Sequence, residues 1–98
     1  MAINHKIVND IVNHIGSDNK SNWYVGIATH PRNRLFNEHN VNEHSGRWIY
    51  NTKPMSEIDA RDTEKYLLDN YSFRGGPGGG DHPQYVYAYK ITSYTRES

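Results

Sequence analysis

The segment that most constrains the fold of this chain is residues 85–92, with the sequence YVYAYKIT. Aromatic and β-branched residues dominate this segment at odd and even positions alike, which predicts an extended strand. Because such a strand offers apolar side chains to both sides of a sheet, we expect it to lie at the centre or under good cover. The chain has 98 residues, enough for one domain. The fold must therefore be built around this strand within a single unit.

Four other segments have the patterns of regular elements. Residues 3–15 place apolar side chains three and four positions apart, which predicts a helix with one buried stripe. Residues 23–27 are rich in β-formers and predict a strand. Residues 31–39 begin with a proline and residues 57–71 follow a capping serine, so both predict helices. Together these segments predict an α+β fold, with a small antiparallel sheet of two to three strands flanked by helices.

The connecting segments are less regular. Residues 48–50 are compatible with a short strand or a helical turn, and Pro54 ends this region. The sequence GGPGGG predicts an irregular loop before the last strand. We divide the single domain, residues 1–98, into an N-terminal helix (1–16), a motif core (22–71), a glycine-rich loop (72–84) and a C-terminal strand (85–92).

Composition excludes several classes of protein. Without cysteine, the chain has no disulfides and no thiolate metal site. Its apolar runs are too short for a membrane span, and the N-terminus lacks the pattern of a signal peptide, so we expect a cytoplasmic protein that does not contact membranes. Eleven basic residues balance eleven acidic ones, so any nucleic-acid site has to be a local basic patch. An ordinary cytosolic domain is the alternative that this balance favours.

Glu64 is the first candidate for chemistry. It lies four residues from both Ala60 and Leu68, on the apolar face of the helix predicted over 57–71. A carboxylate on such a face is costly unless it is paired or bound to a metal. One interpretation is an ion pair with an arginine, or a place at the rim. The other is a divalent-cation ligand, and a single carboxylate with water suits Mg²⁺.

A second candidate is the segment 23–39, with the sequence WYVGIATHPRNRLFNEH. It resembles the second motif of the GIY-YIG endonuclease family, in which a strand ending in Tyr-Ile/Val-Gly precedes a helix with an Arg-Leu pair and then a histidine. Residues 24–26 match the strand motif, and Arg34 and Leu35 match the helix in register. Further on, Glu64 falls where the family places its metal-binding glutamate. The resemblance covers roughly residues 23–70.

The resemblance implies a metal-dependent nuclease that hydrolyses phosphodiester bonds. One Mg²⁺ or Mn²⁺ on Glu64 would stabilise the leaving oxygen, and Arg34 would hold the non-bridging oxygens. Tyr24 or Tyr87 would position or deprotonate the attacking water, directly or through a histidine, for which we consider His39. Gly26 is the glycine of the motif. Basic residues interleaved with aromatic ones are the candidate nucleic-acid contacts, and an aromatic among them either stacks a base or, more often, only packs. These candidates are Arg32, Arg47, Lys53, Arg61 and Trp48.

The expected partner is DNA, and RNA is an alternative. The sequence does not indicate whether there is a protein partner. No nucleotide cofactor is expected, because no Walker-type Lys-Ser/Thr pair follows the glycine-rich stretch.

The chain departs from the family pattern at its first motif. The family begins with a Gly-Ile-Tyr strand, whereas this chain begins with the helix predicted over 3–15. The C-terminal strand resembles that missing element, with Tyr87 at the tyrosine of the motif. We therefore hypothesise a circularly permuted arrangement, which requires Tyr87 to lie near Tyr24.

The histidine is the second departure. The family histidine follows the arginine by four residues, a position that Glu38 occupies here. His39 is one residue further on, about 140° around an α-helix from Arg34, so it faces the site only if the helix end unwinds. His30 is an alternative. These departures favour a second hypothesis, a catalytically inactive module that binds nucleic acid or a protein. A small structural or regulatory protein with a fortuitous resemblance is the third.

Overall fold

The computed structural model describes residues 3–75 and 82–96. These residues form an α+β fold with a three-stranded antiparallel sheet, as the sequence predicts. In chain order the elements are α1 (His5–Ile15), β1 (Trp23–Ala28), α2 (Pro31–Asn33, continued by a π-helical turn over Arg34–Glu38), β2 (Trp48–Tyr50), α3 (Glu57–Asn70) and β3 (Tyr85–Lys90). Across the described ranges, no helix has the length and apolar character needed to cross a membrane.

The strand order β1-β3-β2 places the C-terminal strand at the centre, which confirms the prediction made from its composition. Both pairings are antiparallel, with Gly26 opposite Tyr87 on one side and Tyr50 opposite Tyr87 on the other. The strand ends at Lys90 rather than at the expected residue 92. The cause is a turn closed by Thr92 and Thr95, in which the Thr92 N–H donates to the Thr95 hydroxyl at 3.0 Å.

Strand alternation gives the sheet two different faces. One face is mainly aliphatic and packs against α1 and α3, whose Ile11 and Leu67 side chains are fully buried. The other face is aromatic, and the segment from α2 to residue 41 covers it through Leu35 and Val41. This second face holds Tyr24, Ala28, Tyr87 and Tyr89, with Trp48 and Tyr50 packed beside them.

The helix ends follow their capping residues. Helix α1 begins at His5, two residues later than predicted, because the Asn4 side chain caps it by accepting from the Ile7 N–H at 3.2 Å. Helix α3 is capped by Ser56 as expected and ends at Asn70, one residue earlier than predicted.

The predicted glycine-rich loop, residues 72–84, lies partly outside the described residues. Its first part contains one regular contact, a parallel β-bridge between Arg74 and Tyr24. There the Val25 N–H donates to the Arg74 carbonyl at 2.8 Å, which covers part of the outer edge of β1. The segment 48–50, for which a strand or a helical turn was open, is strand β2.

Candidate active site

The Tyr87 hydroxyl lies over Gly26, at the middle of the aromatic face. A Cβ on Gly26 would stand 2.5 Å from the Tyr87 hydroxyl oxygen and 2.6 Å from the ring carbon that carries it. Such contacts are far inside van der Waals distance, so only glycine lets the ring lie flat across β1. The glycine of the Tyr-Val-Gly segment therefore has a local physical role, which is to place this hydroxyl.

His39 reaches this hydroxyl because α2 ends in a π-helical turn. The His39 N–H donates to the Arg34 carbonyl at 2.8 Å, a bond that spans five residues rather than four. The extra residue brings His39 beneath Arg34, whereas an α-helix would turn it about 140° away. His39 can face the site only if the end of the helix departs from α-helical geometry, and it does so here. The predicted α-helix over 31–39 is therefore wrong from Arg34 onward, where a π-helical turn replaces it.

The His39 side chain is buried and bonded at both ring nitrogens. Its Nε2 lies 2.7 Å from the Tyr87 hydroxyl oxygen. Its Nδ1 faces the main-chain carbonyl of Arg96, which also accepts from the Tyr89 hydroxyl at 3.0 Å. A carbonyl can only accept, so Nδ1 carries the hydrogen and Nε2 is left to accept the Tyr87 O–H.

Arg34 also interacts with this hydroxyl. Its guanidinium lowers the pKa of Tyr87 and forms an ion pair with Glu38, with Nη1 3.2 Å from Oε1. Within the described ranges, its buried Nε has no hydrogen-bond partner. Buried donors are nearly always satisfied, so this nitrogen is poised to donate to a ligand oxygen.

Tyr24 completes the group. Its ring centroid lies 5.0 Å from that of His39 and 6.5 Å from that of Tyr87. The proximity that the permuted arrangement requires is therefore present, while membership of the family stays a prediction. We call the residues Tyr24, Arg34, His39, Tyr87 and Tyr89 the tyrosine–histidine cluster.

Tyr87 is a neutral phenol at physiological pH. Burial raises the pKa of Tyr87 to about 12, and the hydrogen bond from Arg34 only partly opposes this effect. At pH 7 the phenolate is therefore present in only about one molecule in 10⁵. A free tyrosinate cannot serve as the working base, so a proton leaving Tyr87 needs an acceptor, and His39 Nε2 is in place.

Glu64 lies on α3 and is half-buried. Desolvation raises the pKa of Glu64 to about 7, against a smaller opposing effect of Arg61. The Glu64 carboxylate also raises the pKa of Tyr87, though it ranks last among the causes, so the two groups interact electrostatically. Arg61 pairs instead with Glu57 at 2.8 Å, and no ion pair to Glu64 occurs among the described residues. The interpretation of Glu64 as an arginine-paired carboxylate is thus not what the structure shows.

A metal at Glu64 would depend on few protein ligands. In the described part of the chain, no three histidine, aspartate or glutamate side chains form a group that could hold a metal ion. One desolvated carboxylate completed by water fits Mg²⁺, which keeps much of its hydration shell in proteins. The donor chemistry is therefore compatible with a single hydrated ion.

The remaining predicted contacts lie outside the tyrosine–histidine cluster. Arg32 is exposed, pairs with Glu43 and lies 5.1 Å from the centre of the Phe36 ring. Arg61 is engaged by Glu57, while Arg47 and Lys53 are exposed.

Trp48 is half-buried and stacks on Tyr50, with ring centroids 5.8 Å apart. Its indole N–H donates to the Glu43 carbonyl at 2.8 Å. Trp48 thus packs against the aromatic face, and the nucleic-acid contacts stay a prediction.

Two members of this arrangement escaped sequence reasoning. Tyr89 could have been found, because strand alternation places it on the same face as Tyr87. The role of the Arg96 carbonyl could not have been found, since every residue has a main-chain carbonyl and the sequence does not distinguish one from another. His30, the alternative histidine, is exposed and lines a separate cleft.

The fold and the cluster define a class of domain: a small α+β unit with a buried tyrosine hydroxyl bonded to a histidine and close to an arginine. Comparison of the chain with protein-family models, curated proteins and solved structures finds no match.

Proposed function

We propose that this protein is a metal-dependent endonuclease that hydrolyses phosphodiester bonds in nucleic acid. One observation carries the proposal: the Tyr87 hydroxyl lies 2.7 Å from the His39 Nε2 atom and interacts with the Arg34 guanidinium. A hydroxyl bonded to a base and close to a cation, within electrostatic reach of a desolvated carboxylate, suits the activation of water next to an anionic substrate.

The proton pathway follows from the tautomer of His39. Because Tyr87 is fully buried, the partly exposed Arg34 side chain has to shift on substrate binding to admit water. As that water attacks phosphorus, its proton passes to the Tyr87 oxygen while the Tyr87 proton passes to His39 Nε2. The imidazolium so formed keeps its Nδ1–H bond to the Arg96 carbonyl. This coupled transfer avoids the tyrosinate that a pKa of about 12 makes rare.

Arg34 would bind the phosphate. Its open Nε and the rest of its donor fork can hold non-bridging oxygens, where charge accumulates during the reaction. Glu64 would hold one Mg²⁺ or Mn²⁺, which when bound supplies charge neutralisation at the leaving oxygen. The resemblance to GIY-YIG nucleases supports these assignments, because Tyr24, Arg34 and Glu64 stand at its motif positions.

A specific contact favours a second function, a catalytically inactive module that binds nucleic acid or a protein. Glu38 stands where the family has its histidine, and it pairs with Arg34 at 3.2 Å. A carboxylate on Arg34 competes with a phosphate for the same donors. Cleavage assays distinguish the two functions.

The test is cleavage of labelled single-stranded and duplex DNA and of RNA, in Mg²⁺, Mn²⁺ or EDTA. Substitutions Tyr87→Phe, His39→Asn and Glu64→Gln should each lower the rate by about 10²-fold or more, because each removes a group that acts on the reacting atoms. Asp69→Asn is the matched control, since Asp69 is an exposed carboxylate on the same helix, paired with Lys65. If folded wild-type protein cleaves none of these substrates, the inactive module replaces the nuclease.

A further inference from the structure

A cleft opens beside the tyrosine–histidine cluster, where β1 ends and β3 begins. It has a volume of about 320 Å³. Tyr50 and Tyr85 form its aromatic side, and the segment that leads from β1 into α2 forms its polar side. The polar lining comes from Thr29, His30 and Thr52.

The cleft lies next to Tyr87 along β3, while the Tyr87 ring itself points across β1. Tyr50 is directly opposite Tyr87 in the register of β2 and β3. Tyr85 precedes Tyr87 by two residues on the same face, a separation of about 7 Å along the strand. Pro31 and Arg32 line the cleft, and Arg34 follows them in the continuation of α2. A phosphate held by Arg34 would therefore place a neighbouring nucleotide near this cleft.

The chemistry of the cleft suits an uncharged planar ring. Among the described residues, its lining includes no carboxylate side chain, and its cation, Arg32, is already paired with Glu43. The rings of Tyr50 and Tyr85 are only half-buried, and they meet at 81° with centroids 6.1 Å apart. A flat group can stack on one ring while its edge meets the other. Hydroxyl and imidazole groups nearby offer both hydrogen-bond donors and acceptors.

We propose that this cleft binds an unpaired nucleobase of the substrate strand. This proposal rests on the proposed nuclease function. A base in duplex DNA is paired and stacked, so neither its faces nor its edge can enter such a cleft without extrusion. The substrate class is therefore nucleic acid with unpaired nucleotides at the cleavage site, either single-stranded or locally opened.

Binding measured without catalysis tests this site. In EDTA, a labelled oligothymidylate is compared by fluorescence anisotropy with an abasic oligomer of equal length and charge. Because base stacking on an aromatic side chain is worth about 1–3 kcal/mol, the intact oligomer should bind about 5–150-fold tighter. Tyr50→Leu and Tyr85→Leu should shrink this ratio several-fold. Tyr66→Leu is the control, because Tyr66 packs on His5 of α1 and belongs to the other face.

A second measurement needs no substitution. Thymidine monophosphate should shift the amide resonances of Thr29, His30 and Thr52, which line the cleft. Equal affinity for intact and abasic oligomers, or resonance shifts confined to other residues, would overturn the base site.

The same protein in Mg²⁺ separates this inference from the proposed activity. Cleavage at equal rates on intact and abasic oligomers would leave the nuclease standing and remove the base site. Base-dependent binding that Tyr85→Leu abolishes, with no cleavage of any substrate, would support the base site and overturn the nuclease.

Discussion

Gly26 and Tyr87 face each other across β1 and β3, and the position of each side chain depends on the other. Alanine at position 26 would put a methyl group 2.5 Å from the Tyr87 hydroxyl oxygen. The ring would have to leave its place beside His39. At this scale, a single missing methyl group decides whether the candidate active site exists.

We expect Gly26→Ala to lower the free energy of unfolding by about 1–3 kcal/mol, the usual cost of overpacking a core. In a Tyr87→Leu background the same change should cost less, because the clashing hydroxyl is gone. Urea denaturation of the single and double variants measures this coupling. Ala28→Gly, two positions further along β1, reports the general effect of glycine in this strand. If the losses in free energy of unfolding of the two single variants add up to that of the double variant, the methyl group of alanine does not clash with Tyr87.

Glu64 is predicted to cost stability when it is ionised. Its pKa is about 7 in the folded chain against an ordinary 4.5, so the folded state binds more protons between these values. The free energy of unfolding should therefore fall as pH rises through that window and stay level above it.

In EDTA, Glu64→Gln should be more stable than wild type by about 1 kcal/mol at pH 8 and equal to it at pH 4, a figure reduced for solvent screening of a half-exposed group. Thermal unfolding at both pH values, with Asp69→Asn as control, tests this expectation. A loss of stability at pH 8 would mean that the carboxylate makes a favourable contact.

Two elements act together on His39. The π-helical turn lowers its ring toward Tyr87, and the segment after β3 reaches back to hold it. The Arg96 N–H donates to the His39 carbonyl at 2.7 Å, and the Asn40 side chain donates to the Tyr94 carbonyl at 2.8 Å. The C-terminal segment thereby fixes both the backbone and the ring orientation of His39.

We expect neutral His39 to be protonated at Nδ1. Nitrogen–hydrogen correlation spectra of the imidazoles identify the tautomer directly. His14 is an internal control, because its Nε2 lies 2.9 Å from the Gly46 carbonyl and should carry the hydrogen there. An Nε2–H signal from His39 would reverse the hydrogen bond to Tyr87 and contradict the proton pathway.

The π-helical turn also predicts the effect of removing one residue. With Glu38 deleted, the same His39 N–H can donate to the same Arg34 carbonyl as an ordinary α-helical bond. We expect the variant to keep its fold, to retain the His39 contact with Tyr87, and to cleave at least as fast, since Arg34 loses its competing carboxylate. Deletion of Asn70, at the end of α3, is the control for shortening a helix. Loss of the His39 tautomer signature would show that the turn is indispensable.

Across the whole molecule, the sequence predicted features that depend on neighbouring residues along the chain and not those that depend on tertiary contacts. Alternation and periodicity indicate the sheet and helices, and the motif indicates Tyr24, Arg34 and Glu64. The π-helical turn was not predictable, because the sequence pattern of α2 is that of an α-helix and tertiary contacts to His39 select the wider turn. The aromatic cleft beside Tyr85 was likewise not predictable, since it forms only when β1 and β2 are brought to opposite sides of β3.

Charge is the other whole-molecule property, and it bounds the affinity for nucleic acid. The chain carries no net charge, and several of its basic side chains are already paired: Arg32 with Glu43, Arg61 with Glu57, and Lys90 with Asp18. Arg47 and Lys53 make no ion pair among the described residues. Few cations are therefore available to neutralise phosphates.

With about three phosphate contacts, from Arg34, Arg47 and Lys53, the logarithm of single-strand affinity should fall with the logarithm of salt concentration at a slope of about −2. Arg47→Ala and Lys53→Ala should each make the slope shallower by about 0.7, because each removes one contact. Lys65→Ala should leave it unchanged, since Lys65 is already paired with Asp69 at 2.7 Å. A slope steeper than about −5 would require a basic surface that these side chains cannot supply, and affinity would then rest on phosphate contacts rather than on stacking in the aromatic cleft.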